Sequence, residues 1–402
     1  MRTARLITPL IALALVAAAC ADDADDDTSQ AVSDATSNDC VDEVNGDDGA
    51  AVVSIVEQAV ADNGLTSVIY RVTRGDDVLA AGAIGESVSG VPATQNMHYR
   101  TGNVAYAYLG TLLLLLAEDG TVSLDDTVAD LAPDLDVLNA DSVTMEMLLR
   151  NTAGYADHVR TDEFNSAFND DPFQDFDTDE LIELGMATSP FFEPGESWSY
   201  SHTGHLILGA ALEAATGEDL DVLLTERVIE PLGLTNTAPT RTSAVPSPGL
   251  VTYSAERGVF EDTSQWNPSW QTAPGSVVTS TICDLVVSAR GIGAGELLTE
   301  ESFAEFVAPV VADLPEPPAD CPSCRAWTTD GYYALGVRVQ SDWIAQAPLF
   351  GGAGGVHAYL PDEELAVAIQ AVAGPDTEER NIAEDIWDAI AAELTPDNPP
   401  RG

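Results

Sequence analysis

The segment Val104 to Ala117, VAYAYLGTLLLLLA, has no continuous polar face. A helix that is apolar on nearly all sides must be surrounded. This one is shorter than the roughly 20 residues a bilayer crossing needs, so its place is the centre of a large domain. Asp119-Gly120 marks its end. Whatever else the chain forms has to be arranged around that helix.

The patterning on either side shows how. Ala50 to Ala61 has helical apolar spacing at Val52, Val53, Ile55, Val56 and Val60. Ser67 to Thr73 reads as a strand, Gly75-Asp76-Asp77 as a turn, and Val78 to Ile84 as a second strand. Helices and irregular loops follow from Leu124 to about Glu230. Strands return at Tyr332 to Val339, around Trp343 to Phe350, at Gly355 to Leu360 and at Leu365 to Val372. A last helix over about Thr377 to Leu394 carries Ile382, Ile386, Ile390 and Leu394 on one face. Strands at both ends with helices between predict an α/β (α+β) fold. Its antiparallel sheet is built from both termini and flanked by helices, and a mostly helical second lobe leaves a cleft where ligands bind by default. No internal repeat is apparent.

The N-terminus predicts export. Arg2 and Arg5 precede an apolar run from Leu6 to Ala19, and Ala17, Ala18 and Ala19 lead into Cys20. That is a signal-peptide layout (residues 1–19) too short for a spanning helix. A cysteine at the cleavage point resembles a bacterial lipobox, which implies lipidation at Cys20 and attachment to the cell membrane. Ordinary cleavage beside an incidental cysteine is the plainer alternative. Residues 20–47, rich in Asp, Ser, Thr and Asn, cannot form a core and read as a solvated acidic tether. The domain proper is expected over 48–395, with 396–402 as a tail.

The formal net charge is −52, and the chain is 45% hydrophobic. That balance permits a large core and excludes nucleic acid as a partner. All 15 basic residues are arginines; the chain contains no lysine. With Cys20 lipidated, Cys40, Cys283, Cys321 and Cys324 remain for disulfides in an oxidising compartment, in any of three pairings. Cys321-Pro322-Ser323-Cys324 could also be a redox or metal pair, though a structural disulfide in a Pro-rich loop is the simpler reading.

Several segments, in order, resemble the serine β-lactamase, DD-peptidase and esterase family. Tyr99-Arg100-Thr101-Gly102, the buried helix and Glu118 to Asp126 resemble the nucleophile segment and its sequel. Met147 to Gly154 is similar to a segment that usually ends His-Thr-Ser-Gly. Pro194 to Gly204 resembles the second catalytic motif. Glu230-Pro231-Leu232-Gly233-Leu234 and Ala273 to Thr281 follow at the expected intervals. The resemblance covers roughly residues 48 to 395 and implies a β-lactamase/transpeptidase-like fold.

The family mechanism needs a Ser-x-x-Lys one helical turn apart, a Tyr-x-Asn, a basic or imidazole strand motif, and two backbone N–H groups as an oxyanion hole. At the corresponding places this chain reads Asn103-Val104-Ala105-Tyr106, then Tyr200-Ser201-His202, then Gly352-Ala353-Gly354. The resemblance places nucleophile and base at Asn103 and Tyr106, keeps Tyr200, and replaces the asparagine by His202. The oxyanion donors would be the backbone of Asn103 and Gly355. An amide is not an acyl-transfer nucleophile, and no lysine elsewhere can supply the base. Loss of the nucleophile in comparable machinery costs on the order of 10⁶ in kcat.

The expectation is therefore a pseudoenzyme that binds a peptidoglycan-like peptide or small-molecule ligand, or serves as a scaffold, with no cofactor. Two alternatives compete. A rebuilt hydrolase could use Ser201, His202 and His205, although Ser201 should point away from Tyr200 in an extended stretch. Metal binding through His202, His205 and His357 lacks a carboxylate or cysteine partner of suitable spacing, so no metal is expected.

Overall fold

The computed structural model describes residues 40–400 except Pro322 and Glu379. The signal peptide, Cys20 and nearly all of the tether lie outside the described residues. The domain starts earlier than position 48. Glu43–Val44 is already a strand, and the first helix spans Gly46–Asn63. Asp47 and Asp48 stand in that helix's first turn, where carboxylates complement the helix dipole. Gly64 ends it in the left-handed conformation.

The sheet joins the two ends of the chain. The hairpin Ser67–Arg74 and Asp77–Val88 pairs with Leu365–Val372, which pairs with Ala353–Leu360, then Trp343–Gln346, Arg338–Gln340 and Gly331–Tyr333. Each of these pairings is antiparallel. The expected single strand from Tyr332 to Val339 is two, because Gly336 turns at φ 79° and Ala334 N–H bonds Val337 O at 2.8 Å. The last helix, Ile382–Leu394, begins later than the apolar pattern alone indicated, with the Asn381 side chain accepting from Ala383 N–H.

Period-two alternation assigns the sheet's faces. Val68, Tyr70, Val72, Val367 and Ile369 pack with Val52, Val56, Ile386 and Trp387 of the terminal helices. Ile69, Ala366 and Ala368 face the larger cluster, which contains the central helix Val104–Glu118 and the helices Ile282–Gly293 and His202–Thr216. The central helix is buried nearly throughout. From Cys40 onward sheet and helices form one compact unit.

The cysteines pair Cys40–Cys283 and Cys321–Cys324. Of the three possible pairings this one joins the chain's entry to a helix packed on the sheet, and closes the short loop on itself. Residues 396–400, expected as a tail, are held at the sheet. Trp343 Nε1 donates to Asn398 O at 3.0 Å, and Ser341 Oγ to Pro399 O at 3.0 Å. No helix among the described residues is long and apolar enough to cross a membrane.

Candidate functional site

The site is assembled from the starts of two helices and the loop that faces them. Asn103 opens the central helix in a helical conformation, and its side chain makes no cap hydrogen bond. One turn later Tyr106 is 1% exposed. Its hydroxyl donates to Gln271 O at 2.9 Å, and its ring stacks on His205 with centroids 3.7 Å apart and planes within 9°. The Tyr200 ring lies 6.2 Å from that of Tyr106. Burial pushes both phenols well above their ordinary pKa, so neither is a phenolate near neutrality.

His202 begins the second helix. Its Nδ1 lies 3.1 Å from both Asp157 carboxylate oxygens, and its backbone N–H donates to Asp157 Oδ1 at 3.2 Å. Asp157 is 4% exposed. Burial alone would raise its pKa, but the charge and hydrogen bond of His202, with His158 adding to them, hold it below the usual carboxylate range. The Tyr200 and His202 rings meet edge to face at 4.9 Å. Asp157 is 45 residues from His202, and no local motif marks it as a partner.

Ser201 is turned out of this group. Its hydroxyl donates to Ala156 O at 3.3 Å, and its N–H bonds Asn151 Oδ1 at 3.0 Å. His205 is fully buried, and burial, then the charge of His202, lowers its pKa to about 3. His357 instead hydrogen-bonds Ser288 Oγ at 2.8 Å. No cluster of three His, Cys, Asp or Glu that could hold a metal occurs among the described residues.

The glycine-rich stretch sits differently from its expected role. A side chain at Gly352 would collide with the Tyr253 carbonyl, and one at Gly354 with Asn381 Oδ1, so both glycines are packing requirements. The Gly355 N–H is committed to Pro348 O at 2.8 Å and is not open to an oxyanion. The side chain that reaches the cleft loop from this strand region is Phe350, whose ring lies 5.6 Å from Trp270. Trp270 in turn lies 5.7 Å from His202. Sequence reasoning missed Asp157, Trp270 and Phe350. Only three-dimensional contact connects them to Tyr200.

Comparison with known proteins follows the same lines. The Beta-lactamase family model matches residues 52–392. Penicillin-binding protein 4 of Amycolatopsis lactamdurans is 30% identical over 220 residues, 53% of this chain and 55% of that protein. Esterase EstB of Burkholderia gladioli is 27% identical over 198 residues, 46% of this chain and 50% of that protein. The chain thus spans about half the length of these curated relatives. Among solved structures, a D-stereospecific amidohydrolase from Streptomyces sp. superposes with a TM-score of 0.71 at 24% identity, covering 86% of this chain and 98% of that one. A penicillin binding protein from Bacillus halodurans gives 0.67 at 18% identity, covering 84% and 99%. At these identities the structural likeness establishes the fold, a β-lactamase/transpeptidase-type sheet and helices.

Proposed function

Because the chain belongs to the Beta-lactamase family, we propose that it is an exported, lipid-anchored cell-envelope protein whose family cleft has lost acyl transfer and serves ligand binding or scaffolding. The observation that carries the reading is the first turn of the central helix. Asparagine and tyrosine stand where the family resemblance places nucleophile and base, and Tyr106 is locked by Gln271 O and the His205 ring. Tyr200, held as a neutral phenol by burial, is not a substitute base. Trp270 Nε1 is buried without a protein hydrogen-bond partner, whereas the Tyr200 hydroxyl interacts with that of Tyr106. An unpaired indole N–H 5.7 Å ring to ring from the His202 imidazole suits a ligand that supplies the missing acceptor. The ligand we propose is a peptidoglycan-like peptide or another small molecule.

A second reading, a rebuilt hydrolase, draws on the Asp157–His202 pair, which has the form of an oriented general base. Against it, Ser201, the serine adjacent to His202, donates to Ala156 O at 3.3 Å and is turned away from the pair. Labelling the purified protein with a fluorescent penicillin and a fluorophosphonate separates the two. The expected result is no covalent adduct; a mass shift on a residue beside Tyr200 would overturn the proposal. For the anchor, Cys20→Ser should release the protein from membranes, and unchanged retention would remove that part of it.

A further inference from the structure

A cavity of about 270 Å³ lies on the far side of the loop that walls the cleft. Asn267, Pro268, Ser269 and Thr272 line it. The intervening residues serve the cleft: Trp270 O contacts His158 Nε2 at 3.1 Å, and Gln271 O accepts from Tyr106. One loop is therefore the shared wall of two spaces, and only one of them contains the family's catalytic positions.

The lining has a definite chemical character. Thr178, Thr240, Thr242, Asp175 and Asp177 also line it. The Thr240 and Thr242 hydroxyls bond each other at 3.1 Å, Asp175 Oδ1 accepts from Asn267 Nδ2 at 3.4 Å, and Asp177 Oδ1 accepts from the N–H groups of Asp179 and Glu180, which leaves the second oxygen of each carboxylate for a ligand. The Thr178 hydroxyl has no partner within the described protein. Buried Asn267 and Thr272 form polar floor, and Phe176 and Pro268 supply apolar surface. Arg241 also lines the cavity, but its charge is matched by Glu213 and Asp221, with Asp219 nearby at 3.6 Å. The cavity thus offers little uncompensated positive charge, and an anionic ligand is disfavoured. Its size accommodates one sugar-sized ring, so a longer glycan would seat a single residue in it and leave the others outside.

We propose that this cavity binds a hydroxyl-rich ligand of the saccharide class, at a site separate from the acyl-transfer cleft. Carboxylates and threonine hydroxyls accept from and donate to ring hydroxyls, charge-assisted at Asp175 and Asp177. The Phe176 and Pro268 surface takes the C–H face of a pyranose. The inference goes beyond the proposed function and stands whether or not the cleft retains chemistry.

The test is titration of the full chain with maltotriose and with tri-N-acetylchitotriose, by calorimetry and ligand-observed NMR, with putrescine as a cationic control. The two saccharides distinguish a plain glucan from an amino-sugar glycan as the source of the same ring chemistry. Expected is saturable binding of at least one saccharide in the millimolar range. Thr178→Val should weaken it about fivefold by removing one hydrogen bond, and Asp175→Asn about tenfold by removing a charged acceptor. Thr178→Phe should abolish it by filling the space, with the circular dichroism spectrum unchanged. No saturation by either sugar up to about 20 mM would overturn the proposal. Binding of putrescine alone would overturn it in favour of a cation site, and sugar binding indifferent to Thr178→Val, Thr178→Phe and Asp175→Asn would place the ligand elsewhere. Should Thr178→Phe fail to fold, the Thr178→Val and Asp175→Asn titrations decide.

Discussion

Asp157 holds both the backbone N–H and the imidazole Nδ1 of His202, at 3.2 and 3.1 Å. One buried carboxylate thereby fixes the start of a helix and the orientation of the ring that opens it. It also accepts from Val159 N–H at 3.4 Å, tying the segment that carries His158 to the same point.

That double duty predicts graded costs. Asp157→Ala removes every acceptor and should destabilise by about 2–3 kcal/mol. Asp157→Asn keeps an amide oxygen for the backbone N–H groups and should cost about 1 kcal/mol. Urea unfolding of the two variants measures the difference. Equal losses would mean that the charge on Asp157, and not its capping geometry, carries the stabilisation.

Acid stability should report the buried imidazoles. Burial lowers the pKa of His158 and His357 to about 4 and of His205 to about 3. In the unfolded chain each titrates near 6.5, so that state binds more protons as pH falls below about 6.5, and stability declines toward pH 4. The depressed Asp157 pKa acts in the same direction, its contribution vanishing as pH falls through the folded-state value. His357→Gln can retain a contact to Ser288 without a titrating ring. It should flatten the decline between about pH 6 and 4.5 by up to about 1.4 kcal/mol per pH unit. An unchanged slope would mean that His357 titrates normally in the folded protein.

The two disulfides should differ in weight. Cys40–Cys283 spans 243 positions of sequence, whereas Cys321–Cys324 spans 3. Restriction of the unfolded chain favours the longer loop, at about 5 against about 2 kcal/mol in the loop-entropy account. Paired Cys→Ser variants compared by urea midpoint should show that order. The short loop is expected to matter locally, because Ser323 Oγ meets Ser199 Oγ at 2.8 Å, directly before Tyr200. A reversed order would place the stabilisation in native contacts of the short loop.

The fold was legible because its signals are local and strong. An all-apolar helix and alternating strands such as Leu365–Val372 leave few arrangements, and order along the chain carried the family resemblance. The candidate site was legible only in part. Asn103, Tyr106, Tyr200 and His202 lie in two short motifs. Their setting comes from Asp157, Trp270, Gln271 and Phe350, on segments that no sequence pattern links to those motifs. The glycine stretch misled for a physical reason. Gly352 and Gly354 are needed to pass the Tyr253 carbonyl and Asn381, and close packing requires glycine as strictly as an oxyanion turn does. Pairing of the four cysteines likewise depended on the three-dimensional path.

The proposed loss of acyl transfer can be tested by installing the groups the family mechanism uses. Asn103→Ser with Tyr106→Lys places a nucleophile and a base one helical turn apart. The substitution at 106 forfeits the His205 stack and the Gln271 hydrogen bond and buries an ammonium, so the folded protein should lose about 2–4 kcal/mol. The same burial lowers the lysine pKa toward the range a general base needs. Slow hydrolysis of a p-nitrophenyl ester and a chromogenic cephalosporin is expected from the double variant, and none from Asn103→Ser alone, whose serine has no adjacent base. Phe350 against Trp270 narrows the approach from the strand side. Adding Phe350→Ser should therefore raise the rate further without changing the requirement for both other substitutions. If a folded triple variant remains inert toward both substrates, the committed Gly355 N–H identifies the next obstacle: an oxyanion hole that two side-chain replacements and a wider cleft do not recreate.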